Sequence, residues 1–209
     1  MTTADAPAAV PRPLLSVGAY RARERRSKTR HEYVHGRVYA MSGESRAHNR
    51  VAANVFARLF AAARGGPCRV LFESVRLLTG NGEEYYPDVM VACGPPPDDP
   101  NVETAPCVLV EVPSPSTQRT DRREKRVAYC QLPSLQAYVI VHQPRRRVEW
   151  YSRAADGTWQ VVGLIGDGTV TFPRPPRTDG APVSTSFDEI YEGVELPPPR
   201  SARPRRGTE

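Results

Sequence analysis

Lysine is nearly missing from this sequence of 209 residues, in which only Lys28 and Lys125 are lysines and arginine supplies the other basic charges apart from histidine. A reaction that needs an amino group therefore has two candidate side chains, and Lys125 is the only one after position 28. Long apolar runs are missing too, since no stretch approaches the roughly 18 residues that a membrane helix needs. The first 13 residues also lack an apolar core after a basic segment. We therefore expect a cytoplasmic protein with neither a signal peptide nor a membrane span.

Cysteine pairs are the third absence. Cys68, Cys93, Cys107 and Cys130 are far apart and form no C-x-x-C motif, which is not the spacing of a structural zinc site or a disulfide framework. We expect four reduced cysteines, and three of them lie in or beside apolar stretches.

Proline marks the ends of the domain. The 22 prolines concentrate in residues 1–13, 95–100, 173–182 and 197–204, where a fixed φ and a missing N–H are tolerated. The length suits one domain with a substantial core. We predict a disordered tail over residues 1–15, a single domain over 16–196, and a disordered, basic and Pro-rich tail over 197–209.

The net charge of +6 is mild, but basic residues cluster at 21–26, 122–126 and 145–147. Such clusters favour a polyanionic partner, although each one alone is equally consistent with a solvated face.

The hydrophobic pattern predicts an α/β fold with a mixed sheet flanked by helices. Helices are expected over 17–26, with Ser16 as N-cap, 47–64, 121–131 and 187–191. Strands are expected over 37–41 after a turn at His35-Gly36, and over 69–78, 86–92, 107–112 and 137–141. The order of strand 107–112, basic helix and strand 137–141 implies a parallel pair. Three further strands, 147–152, 159–164 and 169–172, are expected as antiparallel edge strands.

Glu111 is an acidic residue inside the apolar run Cys107 to Val112. An ionised carboxylate in a buried strand is costly unless a partner or a cation compensates for it. Asp88, after Pro87 at the start of the preceding strand, has an ordinary explanation as a strand-edge residue, but two carboxylates on adjacent strands could hold Mg²⁺.

Lys125 is a candidate cation for the same site, with a solvated helix lysine as the alternative. Asp121 lies one turn before it and Tyr129 one turn after it, so the three residues share a helix face. Asp121 is equally explained as a carboxylate that stabilises the helix N-terminus.

His48 followed by Asn49 invites comparison with an HNH nuclease. No second histidine or cysteine pair completes such a site, and a histidine near a helix start is more often a cap or a surface contact. We therefore do not assign His48 a catalytic role.

A series of motifs runs in order through residues 16–195. It consists of Tyr33-Val34-His35-Gly36-Arg37, Met41-Ser42-Gly43, His48-Asn49-Arg50, Tyr86-Pro87-Asp88-Val89 and Val110-Glu111-Val112-Pro113-Ser114-Pro115-Ser116-Thr117, followed by Asp121, Lys125, Tyr129 and Glu189-Ile190-Tyr191. This pattern resembles the Uma2 (DUF820) family of bacterial restriction-endonuclease-like proteins. The resemblance implies the restriction-endonuclease-like fold of the PD-(D/E)XK nuclease superfamily.

By this resemblance, Asp88 and Glu111 are the acidic residues of a PD-(D/E)XK-type site. The usual lysine position is two residues after Glu111, where this chain has Pro113, so the resemblance implies that Lys125 on the following helix replaces it. Glu32 matches a recurrent glutamate of the family and is expected to support the metal or the water, although an exposed glutamate is the ordinary explanation.

The sequence thus favours a Mg²⁺-dependent DNA endonuclease, with Mn²⁺ as a possible substitute. Asp88, Glu111 and the Val112 carbonyl are expected to hold the metal, while Lys125 is expected to position the nucleophile or offset charge. Arg122, Arg123 and Arg126 are expected to bind DNA phosphates. The alternative hypothesis is a non-catalytic nucleic-acid-binding or partner-binding protein on a nuclease fold, and a homodimer is possible.

Overall fold

The computed structural model describes residues 14–41, 43–114, 118–173 and 182–197, and of residues 118–122 it describes only the backbone. The tails predicted over 1–15 and 197–209 fall almost entirely outside these ranges. In chain order, the described elements are α1 (Val17–Glu24), β1 (His31–Val34), β2 (Arg37–Ala40), α2 (Arg46–Ala63), β3 (Arg69–Phe72), β4 (Arg76–Leu78), β5 (Glu84–Tyr85), β6 (Val89–Ala92), β7 (Val102–Glu103), β8 (Pro106–Glu111), α3 (Gln118–Cys130), β9 (Ala137–Val141), β10 (Arg147–Arg153), β11 (Trp159–Ile165), β12 (Thr169–Phe172), β13 (Val183–Ser186) and α4 (Phe187–Ile190).

The central layer is a six-stranded mixed sheet in the order β11-β10-β9-β8-β6-β3. β8 and β9 are parallel, as the strand, helix, strand pattern predicts, and α3 forms the connection between them. β6 runs antiparallel to β8 on the other side. All six residues of β8 and all five of β9 are buried, which explains why these strands appear as continuous apolar runs in the sequence.

Helices cover both faces of this sheet. α2 buries its stripe of Val51, Val55 and Leu59 against one face, as its spacing of three to four residues predicts. α3 packs Ala128 and Tyr129 against the opposite face. The fold is therefore the α/β class with a mixed sheet and flanking helices that the sequence predicts.

A second sheet, in the order β2-β1-β5-β4-β7, lies beside the first. The strands predicted over 69–78 and 86–92 differ from the observed ones, because the first range contains two strands and the second contains one shorter strand. The first divides into β3 and β4 at Glu73, whose φ of 49° bends the chain out of the extended conformation. In the second range, the strand of the six-stranded sheet begins only at Val89, after Pro87 and Asp88.

The prediction of three antiparallel edge strands is confirmed for β11 and β12 and wrong for β10. β10 is an interior strand because it pairs with both β9 and β11. β12 belongs to a separate two-stranded sheet with β13, a strand that the sequence analysis missed.

The prediction of four reduced cysteines is wrong for two of them. Cys68 and Cys93 form a disulfide, whereas Cys107 and Cys130 are free thiols. β3 and β6 are antiparallel with Arg69 opposite Ala92, and one further step in this register brings Cys68 opposite Cys93. Their separation of 25 residues conceals this pairing from any local motif.

The described helices include none that is both long and apolar enough to cross a membrane.

Candidate active site

Asp88 and Glu111 face each other at one edge of the central sheet. Val89 pairs with Val110, and one step further in the same antiparallel register places Asp88 opposite Glu111. Side chains opposite each other in such a ladder lie on one face, with Cβ atoms roughly 4.5–5.5 Å apart. Met90 and Leu109, the next residues on that face, pack with Tyr129 of α3. Glu111 therefore points to the side of the sheet that α3 covers, whereas Asp88 lies at the end of the sheet, where α2 also reaches it.

Asp88 is fixed by two contacts. Its Oδ2 accepts a hydrogen bond of 2.6 Å from the backbone N–H of Val112, which ties the start of β6 to the end of β8. Its Oδ1 lies 3.3 Å from Nε2 of His48 on α2.

Glu111 is buried, and its described contacts both come from α3. Its Oε1 accepts hydrogen bonds from the Lys125 ammonium at 3.2 Å and from the Tyr129 hydroxyl at 2.8 Å. Lys125 and Tyr129 are four residues apart, so the helix presents them on one face, as predicted. The side chain of Asp121, expected on the same face, is outside the described part of the structure.

Glu32 joins the site from the second sheet. Its Oε1 lies 2.8 Å from the Lys125 ammonium and accepts a hydrogen bond of 3.4 Å from the backbone N–H of Tyr86. With a side chain only 14 % exposed, Glu32 is not the ordinary surface glutamate that the sequence allowed. Lys125 is thus a buried cation between two carboxylates from different sheets.

The charge of the cluster is unbalanced toward the negative. Burial raises the pKa of Glu111 to about 8; Lys125 lowers this pKa, whereas Asp88 and Glu32 raise it. Burial also raises the pKa of Tyr129, and the negative charge of Glu111 raises it further. The Tyr129 hydroxyl therefore keeps its proton and donates it in a hydrogen bond. Two of the three carboxylates, Glu32 and Glu111, contact Lys125, whereas Asp88 contacts His48, and an additional cation would offset negative charge between Asp88 and Glu111.

His48 is the site residue that the sequence analysis missed. It is 3 % exposed and contacts Asp88, whereas the sequence suggested a cap or a surface contact. Burial lowers its pKa, but the hydrogen bond and charge of Asp88, together with Glu44, outweigh burial and the net direction is upward. A signal was present: His48 extends the buried stripe of Val51, Val55 and Leu59 one turn toward the start of α2.

A ring of hydrogen bonds, closed through the Val112–Pro113 peptide bond, links the residues that contact Asp88 to Ser45 and Gln143. Ser45, the N-cap of α2, accepts a hydrogen bond of 3.0 Å from the His48 backbone N–H and donates one of 2.6 Å to Gln143. Gln143 in turn donates from Nε2 to the Pro113 carbonyl at 3.1 Å, and Pro113 follows the Val112 that binds Asp88. The ring therefore couples α2 to the ends of β8 and β9.

The predicted DNA-binding arginines are not all near these carboxylates. The Arg126 guanidinium lies over the Tyr151 ring, 5.6 Å from its centroid, and Arg123 lines a pocket with His35 and Glu83 that includes none of the site residues above. The side chain of Arg122 lies outside the described residues.

The donor set fits a hard divalent cation. The described hydrogen bonds to Glu111 both end on Oε1, so Oε2 is a candidate ligand atom. Within the described ranges, no group of three or more histidine, cysteine, aspartate or glutamate side chains is arranged to hold a metal ion. A cation here would therefore have two carboxylates, backbone oxygen and water as ligands, a set that Mg²⁺ accepts.

Comparisons with known proteins agree on one family. The family model described as "Uma2: Putative restriction endonuclease" matches residues 17–177. "Uncharacterized protein slr1290" of Synechocystis sp. is 32 % identical over 189 residues, covering 88 % of this chain and 95 % of that protein. "Uncharacterized protein sll1609" of the same organism is 32 % identical over 159 residues, covering 74 % of this chain and 89 % of that protein.

A solved structure shares the fold. The "Crystal structure of a putative nuclease belonging to DUF820 from Anabaena variabilis ATCC 29413" aligns with a TM-score of 0.67 at 15 % identity, covering 85 % of this chain and 97 % of that chain.

Proposed function

We propose, from the premise that this chain belongs to the Uma2 family, that it is a Mg²⁺-dependent endonuclease that hydrolyses phosphodiester bonds of DNA. The observation that carries the proposal is the convergence of Asp88, Glu111, Glu32 and Lys125, from separate elements, on one buried point at the edge of the sheet. A protein gains no stability from burying three acids in one cluster with a single lysine, which makes function the better explanation of this cluster.

Asp88 and Glu111 would hold the cation together with the Val112 carbonyl. When bound, Mg²⁺ or Mn²⁺ would supply a polarised water and neutralise charge on the scissile phosphate. The Val112 N–H and His48 restrain the Asp88 carboxylate in its orientation, and restrained ligands bind metals more tightly.

Lys125 would position the attacking water or offset the charge that develops on the phosphate. A lysine two residues after Glu111 would point to the same face of the strand, but this chain has Pro113 there. Lys125 brings its ammonium within 3.2 Å of Glu111 from α3 instead. Tyr129 and Asp121 would support Lys125 from the same face of α3. Arg122, Arg123 and Arg126 remain predicted DNA contacts.

A plasmid-nicking assay tests the proposal. We expect the protein to nick supercoiled DNA with Mg²⁺ or Mn²⁺ and not with EDTA. Glu111→Gln and Asp88→Asn should each slow nicking by at least about 100-fold, the size of one electrostatic group in an active site. Glu192→Gln, which changes an exposed glutamate, is the control and should nick at the normal rate.

A wild-type protein that nicks no DNA with either cation would overturn the proposal, as would a Glu111→Gln variant with full activity. DNA binding without any cation affinity in calorimetry would favour the non-catalytic binding role instead.

A further inference from the structure

A cleft of about 1330 Å³ opens directly onto Asp88. Its lining comes from the segment before β1, the first turns of α2, the Glu73 bend and residues 193–195. Four basic side chains line it, namely Lys28, Arg30, Arg46 and Arg50, and we call it the basic cleft. All four of these residues are exposed.

Arg46 stands where a helix disfavours a cation. Arg46 is the first residue of α2 and Arg50 follows one turn later, and the first turn of this helix of 18 residues contains no acidic side chain. The N-terminus of a helix carries partial positive charge, so an arginine there lowers stability unless an anion lies nearby. Backbone N–H groups and guanidinium groups together form a strong site for a phosphate.

The other two cations come from the segment before β1. The Arg30 guanidinium lies 5.2 Å from the centroid of the Tyr86 ring, and Tyr86 lies two residues before Asp88. Among the described residues, no carboxylate forms an ion pair with Lys28, Arg30, Arg46 or Arg50. Lys28, Arg46 and Arg50 are therefore available to a ligand, and Arg30 stands beside Tyr86, to which it is hydrogen-bonded.

The cleft also contains carboxylates, and most of them lie near His48. Asp88 contacts His48 at 3.3 Å and Glu44 lies 4.0 Å from it, while Glu73 is close enough to shift the pKa of the same histidine. Glu195 is the remaining carboxylate of the lining and is exposed. Of these carboxylates only Asp88 belongs to the proposed cation site, and the four exposed cations are left to contact a chain of phosphates.

We propose that the basic cleft binds the phosphodiester backbone of DNA and leads it to Asp88, an inference that rests on the function proposed above. The cleft includes Asp88 in its lining, whereas the pocket that contains Arg123 does not include it. The basic cleft is therefore the main DNA path, and the α3 arginines are secondary to it.

The test measures binding of a short fluorescein-labelled DNA duplex to the full-length protein in EDTA, as a function of salt concentration. Each lost phosphate contact reduces the slope of log K against log[salt] by about 0.9. Arg46→Gln/Arg50→Gln should therefore reduce the slope by about 1.8 and weaken binding roughly tenfold or more. Lys28→Gln/Arg30→Gln should act in the same way from the other part of the lining.

The matched control is Arg37→Gln/Arg64→Gln, which removes two exposed arginines outside the cleft and should leave the slope unchanged. Thermal unfolding of every variant shows whether it is folded. Equal slopes for wild type and Arg46→Gln/Arg50→Gln, or no binding by the wild type in EDTA, would overturn the proposal.

Because this assay needs neither cation nor cleavage, it separates the two proposals. A reduced slope in a protein that never nicks plasmid DNA would support the cleft and contradict the hydrolytic function. An unchanged slope in a protein that nicks normally would contradict the cleft and support the hydrolytic function.

Discussion

Glu111 is tolerated in a buried strand because two neighbours donate hydrogen bonds to it and because burial favours its protonated form. Lys125 and Tyr129 donate to one of its oxygens, while Asp88 and Glu32 add negative charge close by. The balance of charge around Glu111 therefore determines both how the site holds a cation and how stable the metal-free protein is.

The stability of the metal-free protein should fall as pH rises from about 4.5 to 8. Glu111 has its pKa raised from 4.5 to about 8, so in this window the folded state binds a proton that the unfolded state has lost. The slope should approach 1.4 kcal/mol per pH unit at most. Urea unfolding in EDTA at several pH values measures it, and Glu111→Gln should flatten the profile. A wild-type stability that rises across this window would contradict the assignment.

Removing the charge of Lys125 should destabilise the protein strongly. Above about pH 8, where Glu111 is ionised, Lys125→Met leaves Glu32 and Glu111 buried without their shared cation, and breaking a buried pair costs about 3–5 kcal/mol. Urea unfolding measures the loss. Adding Glu32→Gln should recover part of it, because one of the two uncompensated charges is then gone. A loss below about 1 kcal/mol would show that Lys125 is not a buried ion-pair partner.

At the scale of elements, α2 connects stability to the site. Its N-cap, Ser45, bonds the His48 backbone N–H and Gln143, and through them supports Asp88 and the Pro113 carbonyl. The first turn of α2 also contributes to the basic cleft. A defect at this helix end should therefore affect chemistry as well as folding.

Two capping serines separate these effects. Ser45→Ala and Ser16→Ala each remove an N-cap hydrogen bond and should each cost about 1 kcal/mol in urea unfolding. Only Ser45→Ala should also slow plasmid nicking, by about 10-fold or more, because it loosens the support of a proposed metal ligand. Equal nicking rates for the two variants would show that the ring around Asp88 has no role in positioning.

The elements also show where prediction from sequence fails. Helix α2 and strands β8 and β9 follow from periodicity and apolar runs, because their own residues supply the signal. Residues 69–78 contain a similar apolar pattern, yet Glu73 breaks it with a positive φ that no Gly or Asn announces. The resulting division into β3 and β4 places these strands in two different sheets.

At the scale of the whole molecule, the disulfide links β3 to β6, the strand that follows Asp88. Cys68 and Cys93 close a loop of 25 residues that includes Glu73 and Asp88. Constraining a loop of this length in the unfolded chain typically contributes about 3 kcal/mol.

Reduction should therefore destabilise the whole domain. We expect Cys68→Ser/Cys93→Ser, or wild type in dithiothreitol, to lose about 3 kcal/mol in urea unfolding. Cys130→Ser, which alters a free thiol, should respond to dithiothreitol as the wild type does. Identical unfolding of wild type with and without reductant would contradict the bond.

The sequence alone determined the α/β class and the parallel β8–β9 pair, and it indicated Asp88, Glu111 and Lys125 as candidate site residues, because apolar patterns and rare residues are local properties. The tertiary structure alone decided the partners of these residues. Glu32 and His48 approach from a second sheet and from the opposite face of the first, and Cys68 meets Cys93 across a strand ladder. Such contacts depend on how sheets and helices pack, and packing joins residues that no local pattern relates.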